Sequence, residues 1–295
     1  MEPTVSEDDA DGWRAWIGRS ETAHDEVRGT PVAALSATLD HPPERPTPGT
    51  PLPLLWHWLF FLPLHPQSEI GPDGHARRGG FLPPVPLPRR MWAGSAFEFL
   101  APIRVGDAIA RTSTIEAVSA KEGRSGKLVF VKVRHEVRVQ GGREPALREW
   151  HDIVYRDTQG AAEAPPRAQA PAPDAAWRRR IDPNAVLLFR YSALTFNGHR
   201  IHYDRDYVTR VEGYPGLVVH GPLIATLLMD LLRRERPAAV VTAFRFKAVR
   251  PLFDGRAFHV NGAPSSDGRE VHLWASDTDG ALAMDAVATL SPGGA

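Results

Sequence analysis

Between residues 197 and 202 the chain reads Asn-Gly-His-Arg-Ile-His, which places one amide, two imidazoles and a guanidinium within six positions. A histidine titrates close to neutral pH and can both take and return a proton, so general acid–base work is the chemistry these residue types suit best. Of Asn197 and His202 only the histidine can be the base, because an amide orients a water but cannot accept its proton. Five positions separate the two, about 140° on a helix and opposite faces on a strand. They converge only through irregular backbone, and Asn197-Gly198 is a strong turn dipeptide. The same stretch also fits a polar loop whose Asn and His satisfy backbone groups.

Other chemistries lack parts. His199 and His202 form a His-x-x-His pair, yet with no cysteine in the chain and only Asp204 nearby nothing completes a ligand set, so no metal is expected. There is no Gly-x-Ser-x-Gly elbow to activate a serine. Residues 71–80, GPDGHARRGG, lack the Gly-Lys-Ser/Thr ending of a phosphate loop and read as a surface loop. A second useful feature is His220-Gly221-Pro222. A helix starting there has unpaired N–H groups and a partial positive charge, and Gly221 can bring its amide up to a ligand as an oxyanion hole. The same Gly-Pro also fits a plain helix cap. Base and oxyanion hole together suit addition or loss of water beside a thioester carbonyl, through an enolate-like state.

These groups must be positioned by regular elements. Residues 160–175 contain 11 Ala or Pro in 16, too little to bury, and are read as part of a linker (159–175) between halves 1–158 and 176–295. The halves echo each other. Phe97 to Pro102 leads to Arg104-Val105-Gly106-Asp107, and Phe244 to Val249 leads to Arg250-Pro251 and Asp254-Gly255, each an alternating strand before a turn. Further strands follow in both halves, joined at Gly141-Gly142, Asp267-Gly268 and Asp279-Gly280. Each half also has one apolar helix candidate, Leu54–Leu62 and Pro222–Arg234, the second apolar nearly all round and so buried. The expected fold is α+β, two antiparallel sheets each wrapped around a buried helix.

Composition narrows the partners. Thirty-five basic and 35 acidic residues give zero net charge, so no global field draws the chain to nucleic acid or an anionic membrane. The absence of cysteine fits a reducing cytoplasm. The acidic start MEPTVSEDDADGW shows no export or import signal, and the apolar run LPLLWHWLFFLPL is shorter than the roughly 20 residues a bilayer needs.

Thr195 to His202, followed by Gly213 to Pro222, resembles the hydratase-2 motif and helix of the MaoC-like double hot-dog hydratases and dehydratases. That motif reads Ser-Gly-Asp-x-Asn-Pro-x-His; here its His falls on His202 and its Asp on Asn197, so the acid is missing. The replacement is typical of the branch with a fatty-acid-synthase-like N-terminal half, which includes mitochondrial-type 3-hydroxyacyl-thioester dehydratases and bacterial mesaconyl-C4-CoA and itaconyl-CoA hydratases. The first half resembles the bacterial hydratases in Trp16-Ile17-Gly18-Arg19, Leu55-Trp56-His57-Trp58 and Arg78 to Gly94.

The resemblance implies a double hot-dog with active residues in the C-terminal unit and a non-catalytic, substrate-shaping N-terminal unit. It implies His202 as base, Asn197 positioning water and the Gly221 amide holding the thioester oxygen, with no cofactor beyond the CoA of the substrate. The expected reaction is hydration of mesaconyl-C4-CoA to citramalyl-CoA. The alternatives are a general 3-hydroxyacyl-thioester dehydratase and a non-catalytic acyl-CoA-binding protein. An acidic acyl group calls for a fixed cation, for which Arg89, Arg90 and Arg200 lie in matching motifs, with His220 as a further substrate contact. The oligomeric state stays open, a homodimer included.

Overall fold

The computed structural model describes residues 12–123, 126–156 and 174–292, so all but the last two positions of the expected linker lie outside the described residues. Among the described residues ten strands are present: β1 (Ser20–Glu26), β2 (Arg89–Phe99), β3 (Ala108–Gly123), β4 (Gly126–Val139), β5 (Leu147–Arg156), β6 (Trp177–Ile181), β7 (Val241–Ala248), β8 (Phe258–Pro264), β9 (Glu270–Asp277) and β10 (Leu282–Leu290). The α-helices that lie wholly among the described residues are α1 (Gly29–Thr38), α2 (Ala185–Leu194), α3 (Arg205–Arg210) and α4 (Gly221–Glu235).

The expectation of two sheets is corrected: the strands form one sheet in the order β1-β3-β4-β5-β2-β7-β10-β9-β8-β6. The second five follow the order of the first five in reverse, as an internal repeat requires. The seam is the repeat itself, because β2 pairs antiparallel with β7 and sets Phe97 opposite Phe244. Each of these strands would otherwise expose a long aromatic edge with unpaired backbone groups, so pairing them removes two edges at once. Gly94 lies at a β-bulge of β2 against β5, and on its β7 side a Cβ would come 2.5 Å from the Phe246 carbonyl oxygen.

The expected first-half helix is also corrected. Within 54–62 only Trp56–Leu59 make a 3₁₀ turn, flanked by left-handed residues Leu55 (φ 69°) and Phe61 (φ 57°). Pro53 and Pro63 confine the run to nine residues, and its side chains are buried without an α-helix: Leu55, Trp56, His57, Leu59, Phe60 and Phe61 all lie in the interior. The first half's helix is instead α1, which packs on α2 and on that 3₁₀ turn.

In the second half, α4 packs against β6, β8, β9 and β10, and every residue from Leu223 to Leu232 is buried. One hydrophobic cluster runs through both halves, from Val27 and Phe97 to Leu223 and Leu290. Its packing fixes the N-terminus of α4 and the loop after α2. Among the described residues no helix is long and apolar enough to cross a membrane.

Candidate active site

The motif loop is built from its own caps. Asn184 Oδ1 accepts the Leu187 amide and starts α2. The helix stops at Thr195, and Phe196 (φ 50°) turns the chain back so that the Asn197 amide donates to the Ser192 carbonyl at 2.8 Å. Asn197 Oδ1 accepts the His199 amide at 3.0 Å, and Arg200–His202 form a 3₁₀ turn. Asp204 then caps α3 through the Tyr207 amide.

His202 is buried, and its Nδ1 lies 2.7 Å from the Val218 carbonyl oxygen. A carbonyl can only accept, so the proton sits on Nδ1 and the lone pair of a neutral ring sits on Nε2. Burial is the main cause that lowers the His202 pKa to about 4; the Val218 bond opposes this and His75 reinforces it. At neutral pH His202 is therefore an uncharged ring with a fixed tautomer, the form a base needs. The His220 ring stacks on it at 3.7 Å, and His220 Nε2 is 2.8 Å from Ser192 Oγ. Gly221 follows directly as the first residue of α4, and a Cβ there would meet nothing within 4 Å, so the space at the helix start is open.

The two halves meet over this loop. The Arg200 amide donates to the Asp73 carbonyl and the Arg200 Nη1 to the Pro72 carbonyl, both at 2.9 Å. Gly74 (φ 89°) has no room for a side chain, because a Cβ would run into the Gly198 carbonyl, and a Cβ on Gly198 would come 2.8 Å from Gly74 O. The His75 ring packs on His199 at 4.0 Å, and His199 meets His202 edge-on at 5.5 Å. A cleft of about 420 Å³ opens here, lined by His75 and His199 and by Arg77, Arg78, Arg89 and Arg90. Four guanidinium groups face two carboxylates, Asp73 and Glu212, so the cleft is cationic.

The family model for hydroxyacyl-thioester dehydratase type 2 matches residues 55–254. The chain belongs to that family. It is a family of hydro-lyases, and the mesaconyl-C(4)-CoA hydratase of Chloroflexus aurantiacus is 45% identical over 94% of this chain and 98% of its own. A MaoC-like dehydratase from Phytophthora capsici superposes with a TM-score of 0.66 at 14% identity, covering 95% of this chain and 97% of that one. A Mycobacterium tuberculosis protein with a double hot-dog fold gives 0.52 at 14% identity, over 93% and 96%. The fold is an α+β double hot-dog.

Of the residues singled out in the sequence, Arg89 and Arg90 line the cleft of this hydro-lyase, with His202 behind His199 and Gly221 at the start of α4. Arg89 reaches the Glu212 carbonyl at 3.3 Å, while its buried Nε has no partner among the described residues. Arg200 turns elsewhere: its Nε and Nη2 bind Asp204 and its guanidinium lies over Tyr207. His220 is fully buried between His202 and Tyr191, with its Nδ1 unpartnered among the described residues. Asn197 spends its oxygen on the turn.

Sequence reasoning missed Asp73, His75, Arg77 and Arg78, in the segment read as a surface loop. The signal was a histidine and two arginines between glycines, but the motif they meet is more than 120 residues away. The fold also makes a grouping that sequence spacing did not suggest. His199 finds Asp73 and His75 rather than His202, whose Nδ1 is already bound.

A pH dependence follows from the buried rings. Burial lowers His202 to about 4 and His199 to about 2, and pushes His220 and His135 well below their ordinary value. The unfolded chain takes up these protons first, so stability is greatest above about pH 6.5 and is lost as the pH falls from there toward 4. Thermal melts at pH 7.5, 6.5, 5.5 and 4.5 should show a falling midpoint below 6.5. A flat profile would mean that these rings are charged in the folded state.

Proposed function

We propose that this hydro-lyase adds water to a short branched dicarboxylic enoyl-CoA, mesaconyl-C4-CoA, giving citramalyl-CoA. The observation that carries the substrate is 45% identity to a mesaconyl-C(4)-CoA hydratase over nearly the full length of both chains. The cationic cleft beside His199 is consistent with it, since the acyl group brings a carboxylate on the very carbon that receives hydroxide, and arginine forks suit carboxylates. Arg89 and Arg90 are the candidates for that carboxylate; Arg200 is committed to Asp204.

The steps balance on one histidine. Nε2 of His202 takes a proton from water while the oxygen bonds to the β-carbon, and the π electrons move onto the thioester oxygen. The Gly221 amide stabilises that oxygen at the positive end of α4. Protonated His202 then returns its proton to the α-carbon, which completes the addition of one water. Nδ1 stays bonded to Val218 throughout, which holds the ring in register. The second half of the chain carries this machinery, and the first half contributes the stretch between Gly71 and Met91 to the cleft wall.

The test is the absorbance of the conjugated enoyl-thioester as purified protein is mixed in parallel with mesaconyl-C4-CoA and crotonyl-CoA, followed to the end of the reaction. Faster loss with mesaconyl-C4-CoA is expected. Preference for crotonyl-CoA would replace the dicarboxylate reading with an uncharged acyl substrate, and no loss with either would leave binding alone.

A further inference from the structure

We propose that Asp73, His75 and His199 form a site for a late first-row divalent metal ion, zinc in class, at the seam of the two halves. Their three ligand atoms lie within 4.8 Å of one another. Asp73 Oδ2 and His75 Nδ1 are 3.0 Å apart in a hydrogen bond, a contact that an ion shared by the two side chains would replace. Metal bonds of about 2.0–2.2 Å in a tetrahedral set bring ligand atoms roughly 3.5 Å apart, so the widest pair would have to close by at most about 1.3 Å.

Two imidazoles and a carboxylate are a borderline donor set. They suit zinc, cobalt or nickel better than calcium or magnesium, which prefer all-oxygen ligands. The backbone beneath them is already fixed: the Arg200 amide donates to the Asp73 carbonyl, and Gly74 and Gly198 pack without side chains. All three side chains are half-buried and border the cleft, which leaves coordination positions open toward it. Asp73 and His75 come from the first half and His199 from the second, so neither half has the site alone. A bound ion would cross-link the loops and place a dication on the ring beside His202.

The experiment uses the full chain without an affinity tag, freed of metal by a chelator. Titration with Zn²⁺ by calorimetry should show one equivalent, and Co²⁺ should give visible d–d absorption. Asp73→Asn, His75→Asn and His199→Asn should each weaken binding at least as much as loss of an outer-shell partner, about 10- to 100-fold. His272→Asn, which alters a His–Asp pair on β9 and β10, should bind like the wild type. Melts of the metal-free variants establish that they are folded. Lack of saturable 1:1 binding by the wild type, or undiminished binding by a His75→Asn/His199→Asn double variant, would overturn the site. Binding is read without turnover, so its failure is separate from any failure of the hydratase reading.

Discussion

Replacing His202 with alanine should lower the rate of water addition by about 10²- to 10⁴-fold, the contribution of a positioned general base. The expectation rests on the ring's isolation. It is 7% exposed, its Nδ1 is committed to Val218, and its pKa of about 4 keeps it neutral across the working range. No carboxylate stands in for it in the motif, because Asn197 occupies the acid's position and holds the His199 amide. Asn197→Ala should therefore cost less, mainly by loosening the turn. Removing the ring also unstacks His220, so His202→Gln, which fills more of the space, should be assayed beside the alanine variant with melting midpoints for both. A large loss of rate in folded protein is the expected result. Wild-type rates in both variants would take His202 out of the mechanism.

The local turns and caps of the candidate site were more legible in the sequence than the architecture. Asn197-Gly198 announced the turn, His202 was the only base of the pair, and Gly221-Pro222 marked the start of α4 because local residue chemistry dictates caps and turns. The cleft was not legible, since half of its wall is a loop from the other half of the chain. A glycine such as Gly74 looks like loop punctuation until its contact with Gly198 is known. The repeat around Phe97 and Phe244 was visible, but not that the two copies pair with each other; strand partners follow from which edges need covering. The run 54–62 shows the opposite failure: its apolar residues are buried as expected, yet its bracketing prolines and the left-handed Leu55 and Phe61 leave only one 3₁₀ turn.

Asp230→Ala should be the most destabilising single change, costing about 3–5 kcal/mol, the range for removing one partner of a buried ion network. Asp230 sits in α4 with its carboxylate 1% exposed. Arg179 and Arg234 donate to Oδ2 at 3.0 and 2.8 Å, and Arg233 and His41 meet Oδ1 at 2.9 and 2.5 Å. Burial alone would raise its pKa, but hydrogen bonds from Arg234 and His41 outweigh it and keep the carboxyl below its ordinary value. Arg179 and Arg234 also reach the Leu39 carbonyl, so this one carboxylate ties β6 and α4 to the segment after α1. Without it three guanidinium groups remain close together, each only partly exposed, with their charge uncompensated. The melting midpoint should fall by about 10 °C or more, given a few degrees per kcal/mol for a chain of this size. Asp230→Asn, which keeps the shape and loses the charge, should fall nearly as far if charge compensation is the cause; a small loss in the asparagine variant would assign the effect to packing. Asp230 lies nine residues from Gly221, about 14 Å along the helix at its regular rise. Assayed below the new midpoint, the variant should therefore keep most of its turnover, which separates the clamp at one end of α4 from the chemistry at the other.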